Sequence, residues 1–216
     1  AMKAAVKVPV SVKTRLGWKQ DTDCLEFVKV VEEAGADLIS MHGRTKEQGY
    51  SGIANWDRIG QARAQVPTMP FLVNGDITTP ERAREAMERS DADGVLIGRG
   101  MLGNPWFAKE VMEYLTKYVS GNAHDDKSSF KHIDVHEDNI QTRIEAIREH
   151  ARLQVFHYGE RGLVKLRKHL PWYFKHMNGW KEIRSALVKI STLQELEAVL
   201  SGISITSIPE SQISRL

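Results

Sequence analysis

Cysteine is nearly absent: Cys24 is the only one in 216 residues. A lone thiol excludes an internal disulfide and a cysteine-based zinc site. Long apolar runs are missing as well. No stretch approaches the roughly 18 residues that cross a bilayer, and mean hydropathy is negative. The opening AMKAAVKVPV lacks the apolar core of a secretory signal. These absences set the expectation of a cytoplasmic protein with no membrane partner. What is present, 41% hydrophobic and 27% charged residues, is the balance of a soluble globular chain.

Net charge is only +2, but it is unevenly placed. Residues 138–189 carry eleven Lys/Arg against five Asp/Glu, so the rest of the chain is net acidic. Such asymmetry marks either a module that meets a polyanion or a solvated helical surface.

The first half alternates strand and helix signals. VPVSVKTR (8–15) is rich in β-branched residues and predicts a strand. Leu25, Val28 and Val31 then form a helical stripe that Gly35 ends. ADLISMHG predicts a second strand and residues 55–66 a weaker helix. MPFLVNGD predicts a third strand, and Thr79-Pro80 opens a helix as N-cap and N1 proline. ADGVLIG predicts a fourth strand, and Asn104-Pro105 opens a helix to about Val119. Four βα units require parallel strands with crossover helices, and the strands are expected to be buried on both faces. A doubly wound sheet and a (β/α)8 barrel both satisfy this pattern. The polar stretch 120–138 predicts a linker. Beyond it only helical signals remain, giving an expected helical domain over 139–200 and a tail over 201–216. Within that domain a helix over 163–177, interrupted near Pro171, and a capped helix over 192–200 are expected.

Two strands end in backbone-exposing turns, Asn74-Gly75-Asp76 and Gly98-Arg99-Gly100. Glycines there let N–H groups approach an anion, as in the phosphate sites of barrels, and Arg99 adds a forked cation. The plain alternative is two βα turns that need glycine for backbone reasons. Lys13 and His42 close the first two strands. At a barrel mouth they suit the anionic and carbonyl positions of a cofactor ring; otherwise they are a solvated lysine and a backbone-satisfying histidine. Cys24 lies in a helical pattern and is expected to be structural. His132 and His136 are four apart but have no third ligand, so no metal is expected. LRKHLPWYFKHM mixes cations with aromatics. Its aromatics are expected in the core and its cations on RNA.

Taken in order, VSVKTRLGW, MHGRT, NGDI, IGRGMLGNPW and RKHLPWYFK resemble the tRNA-dihydrouridine synthases, in particular the bacterial DusB-like branch. The resemblance covers about residues 8–200. It implies an FMN-binding (β/α)8 barrel followed by a helical tRNA-binding domain. It also implies reduction of uridine in tRNA to 5,6-dihydrouridine, with NADPH as reductant. By motif, Lys13 and His42 would contact the flavin ring, and Asn74, Gly75, Asp76, Gly98 and Arg99 the ribityl-phosphate. Arg161, Lys165, Arg167, Lys168 and Lys175 would grip tRNA. The family's catalytic cysteine stands in an N-x-G-C-P segment that this sequence lacks, and Cys24 does not match it. The expectation is therefore the C-terminal half of a barrel, residues 1–119, without a catalytic residue and inactive alone. Its two open sheet edges invite the other barrel half or self-association. Two other readings remain: another FMN- or phosphate-binding barrel oxidoreductase of the dihydroorotate dehydrogenase kind, and a tRNA-binding module without catalysis.

Overall fold

Residues 1–119, 140–175 and 180–203 of the chain are described in a computed structural model. The expected linker 120–138, with His132 and His136, and residues 204–216 of the expected tail lie outside them. The chain divides into two compact units. The first holds residues 1–101 and 106–119, and the second residues 102–105 with the described part of 140–203.

The first unit opens on a short helix α1 (Met2–Ala5) and then alternates strands and helices. The order is β1 (Ser11–Arg15), α2 (Asp23–Glu33), β2 (Leu38–His42), α3 (Trp56–Arg63), β3 (Phe71–Asn74), α4 (Pro80–Ser90), β4 (Gly94–Leu96) and α5 (Phe107–Val119). The four strands form one parallel sheet in the order β1-β2-β3-β4. Local chemistry explains the helix starts. Asn55 accepts from the Arg58 N–H at the head of α3, and Thr79 accepts from the Arg82 N–H ahead of Pro80. Gly35, at φ +78°, follows the end of α2 as expected for a left-handed stop.

Three details differ from the sequence reading. β1 begins at Ser11 rather than Val8; just ahead of it the Val10 carbonyl accepts the Asp37 N–H and the Val10 N–H donates to the Asp37 carboxylate. A 3-10 turn over Arg99–Met101 follows β4, so α5 starts at Phe107, beyond Asn104-Pro105. The strands are covered by helices on one face only. Ile39, Met41, Phe71 and Val73 pack with Val28, Ile59 and Ala83 from the helices. On the other face Lys13 is exposed and Leu38, Leu72 and Leu96 are only partly buried, outside that core. All the helices packed on the sheet share one side.

The second unit shows only helices among its described residues: α6 (Ile140–Tyr158), α7 (Arg161–Leu166), a 3-10 turn (Leu170–Phe174), α8 (Lys181–Leu187) and α9 (Leu193–Ser201). Ile140, Ile144, Ile147 and Ala151 recur at helical spacing and pack on Leu163, Leu166, Leu170 and Leu200. Phe174 stacks on Trp180 at 5.1 Å. The capping box of Thr192 and Glu195 opens α9. The helix expected over 163–177 is instead α7 and a 3-10 turn. Pro171 has no N–H to donate and biases the residue before it away from helix. The helix α8 gave no signal in the sequence reading. No helix among the described residues is long and apolar enough to cross a membrane.

Candidate functional site

Strand register aligns the side chains of the uncovered sheet face in two rows. Lys13, Ser40, Leu72 and Gly94 form the lower row, and Arg15, His42, Asn74 and Leu96 the upper one. The upper row is the C-terminal rim of the sheet, where β3 and β4 deliver their two turns side by side. Arg99 Nη2 lies 3.7 Å from Asp76 Oδ1, so the two turns meet. Lys13, placed at the strand end by the sequence reading, sits one row deeper, and Arg15 takes the rim.

The loop after β2 is held by a buried arginine. Arg44 is 2% exposed. Its Nε donates to the Ser51 carbonyl at 3.1 Å and Nη2 to that of Gly52 at 2.6 Å. Nη2 also meets both oxygens of Asp76, at 2.9 and 2.7 Å, and Nη1 lies 3.2 Å from His42 Nε2. Ala54 N–H completes the shell of Asp76 at 2.8 Å. Asp76, one of the residues expected at the phosphate, turns its oxygens to Arg44 and Ala54, and these bonds fix its turn.

An arginine cannot accept a hydrogen bond, so His42 Nε2 accepts and Nδ1 carries the proton. Burial lowers the His42 pKa first, and the charges of Arg15, Lys13 and Arg44 lower it further, to about 4 against the opposing pull of Asp76. The ring is neutral at physiological pH and is an N–H donor at Nδ1. Lys13 is also lowered, by partial desolvation of its ammonium at the sheet face and then by Arg15. Asn74 Nδ2 donates to the Leu96 carbonyl at 2.6 Å, tying β3 to β4 at the rim. Ser40 Oγ, beside Lys13 in the lower row, is buried with no hydrogen-bond partner.

Tyr50 adds an exposed ring that the sequence reading missed. The guanidinium of Arg99 lies 4.1 Å from its centroid and that of Arg15 5.6 Å. Arg15 also donates to the carbonyls of Thr45 and Gly49 at 2.9 and 2.8 Å. Arg44, Arg15 and Tyr50 each carried a signal, because all three lie within a few residues of Lys13 or His42. No pattern in the sequence says that a loop folds back over the strand it leaves.

The two expected glycines differ. Gly75 sits at φ +116°, and a Cβ there would lie 2.7 Å from His42 Cδ2 and 2.8 Å from Ala54 Cβ. A Cβ on Gly98 would meet nothing within 4 Å. Gly75 is therefore demanded by packing, whereas Gly98 leaves its backbone open to a ligand. Gly75→Ala is expected to destabilise the first unit by roughly 1–3 kcal/mol through backbone strain and to displace the His42 ring. Urea unfolding and the His42 ring NMR signals check this. An unmoved ring and an unchanged midpoint would refute it.

Cys24 is 1% exposed, in the core beneath the other sheet face. Its Sγ donates to the Asp21 carbonyl at 3.2 Å, and burial pushes the thiol up to about 11. It is a core residue.

In the second unit the expected cations separate. Arg167 is committed within the fold: Nε donates to the Ile190 carbonyl at 2.6 Å, and Nη2 to the Lys189 carbonyl at 3.1 Å and to Ser191 Oγ at 2.7 Å. Its position near the end of α8 makes it a cap. Arg161, Lys165, Lys168 and Lys175 are exposed. Tyr173 and Phe174 are buried as expected, and Trp172 partly so.

Comparison with known proteins gives the family. Residues 1–208 match the family model described as dihydrouridine synthase. The chain belongs to that family. It is 36% identical over 193 residues to a probable tRNA-dihydrouridine synthase 1 of Synechocystis, covering 89% of this chain and 50% of that protein. It is 34% identical over 205 residues to tRNA-dihydrouridine synthase B of Pseudomonas putida, covering 94% and 56%. A probable tRNA-dihydrouridine synthase of Rickettsia bellii is 36% identical over 185 residues, covering 85% and 52%. The chain spans about half the length of the curated relatives it matches.

Proposed function

We propose that this dihydrouridine synthase chain is the flavin-and-RNA half of a tRNA-dihydrouridine synthase. Residues 1–119 supply four units of a (β/α)8 barrel with part of an FMN site, and residues 139–200 a tRNA-binding helical domain. The observation that carries the reading is the meeting of the Gly98-Arg99 turn with a cationic face that holds Lys13, neutral His42 and the unpartnered hydroxyl of Ser40. A buried hydroxyl without a partner is costly unless a ligand completes it.

FMN fits this donor set. Arg99 with the backbone at Gly75 and Gly98 would hold the phosphate. Lys13, Ser40, Asn74 and the Nδ1–H of His42 would meet the polar edge of the ring system. When bound, FMN would carry hydride from NADPH to the uracil ring. Lys13 and Arg15 supply positive charge on this face, and the His42 ring donates without adding charge of its own. Among the described residues none is placed as a thiol acid at the rim, so these 216 residues by themselves are read as not catalytic. The substrate reading places the protein in the cytoplasm with tRNA. The unpaired edges of β1 and β4 are read as joining the other barrel half or a second copy.

Arg99→Ala is expected to weaken FMN binding about ten- to a hundredfold, the range of a charge-assisted hydrogen bond. Riboflavin, which lacks the phosphate, should bind both forms alike. Flavin fluorescence titration measures both. Equal losses for the two flavins would show that Arg99 does not hold the phosphate. The non-catalytic RNA-binding alternative draws support from the inert Cys24, and a chain that purifies colourless and takes up no FMN would favour it.

A further inference from the structure

The most exposed large apolar side chain described in the molecule is Phe156, at 81%, at the C-terminal end of α6. It opens a run of three exposed rings, Phe156, His157 and Tyr158. Phe156 and His157 pack edge to face at 5.0 Å. Lys165, from the next helix, places its ammonium 4.0 Å from the Tyr158 centroid. Burying such rings would stabilise the fold, so leaving all three in water needs a reason.

The run is held on a rigid corner. Gly159, at φ +62°, ends α6 and donates its N–H to Val155, and Gly162 donates back to Gly159 at 2.9 Å. A Cβ on Gly162 would lie 2.2 Å from the Gln154 carbonyl oxygen, so α7 returns tightly against α6. The charge around the corner has one dominant sign. Residues 149–168 carry five Lys/Arg against two Asp/Glu. Of these cations Arg152, Arg161, Lys165 and Lys168 are exposed.

We propose that Phe156, His157 and Tyr158 form a stacking platform for unpaired bases of an RNA loop, with Arg152, Arg161 and Lys165 on its phosphates. The proposal rests on the RNA reading above and names its contact. Exposed rings set among cations match the two faces of an unpaired nucleotide, a flat base and a charged backbone. A protein partner would instead ask for a contiguous apolar patch with charge kept to the rim.

The test uses the 216-residue chain with two probes, a fluorescein-labelled tRNA transcript and a blunt RNA duplex, followed by anisotropy. Phe156→Leu and Tyr158→Leu should each weaken tRNA binding roughly tenfold and leave duplex binding unchanged. Phe156→Trp should keep the wild-type affinity. Lys165→Gln should lower the salt dependence by about one ion, which the ring variants leave alone. Full tRNA affinity in both leucine variants overturns the platform while the RNA reading stands. Equal losses on the two probes also overturn it, as does ring-dependent self-association of the chain in light scattering. A wild-type chain that binds neither RNA at low salt overturns the RNA reading itself.

Discussion

Replacing Arg44 with methionine is expected to lower the stability of the first unit by about 3–5 kcal/mol, the cost of removing one partner from a buried ion pair. Methionine keeps much of the apolar stem, so the loss reports the guanidinium. Arg44 joins three elements: the carbonyls of Ser51 and Gly52, the His42 ring at the end of β2, and Asp76 after β3. Without it the Asp76 carboxylate, 21% exposed, keeps the Ala54 N–H and the more distant Arg99 guanidinium at 3.7 Å. Arg44→Lys should recover little, because an ammonium cannot reach four acceptors in a plane. Adding Asp76→Asn to Arg44→Met should recover a substantial part, since the orphaned charge is then gone. Urea unfolding with amide exchange across β2 and β3 reads these variants. A loss below 1 kcal/mol for Arg44→Met, or no recovery in the double variant, would show that the pair does not hold the rim.

Much of this fold is legible in the sequence because its signals are local. The caps at Asn55, Thr79 and Thr192 each need only a side chain and an N–H three residues on, and all three are formed. The strand order follows from βα alternation, which leaves few parallel arrangements. Burial on both strand faces did not follow, because it depends on what lies opposite the sheet and not on the strands themselves. The two site turns were visible as glycines at strand ends. Their division of labour was not, since Gly75 is fixed by the distant His42 and Ala54 while Gly98 has no near neighbour. The same limit hides the intramolecular partners of Asp76 and Arg167. Those partners, Arg44 at 32 residues and Ile190 at 23 residues of separation, are set by tertiary packing alone.

Acid should loosen the rim of the sheet in two successive steps. His42 is lowered to about 4 in the folded chain, by burial first and by its three cationic neighbours next. The unfolded chain, with an ordinary histidine near 6.5, therefore takes up the proton first as pH falls. This contribution is fully present above about pH 7 and is lost between about 6.5 and 4. It amounts to about 3 kcal/mol. Asp76 follows at lower pH. Burial raises its pKa, but the Ala54 N–H and Arg44 outweigh burial and hold it below the usual carboxylate range. Its contribution is present above the unfolded value near 3.9 and is lost as pH falls through the depressed folded value. Both steps have one sign, and only the upper one lies in a mild range. His42→Gln should abolish the upper step and keep the lower. The readout must be local. His150 and His169 in the second unit are also lowered by burial and would shift a global unfolding curve in the same direction. Amide exchange in β2 and β3 at pH 7.5, 5.5 and 4.5 isolates the rim. Identical losses of protection in wild type and His42→Gln over that range would mean that the imidazole is not the group that titrates.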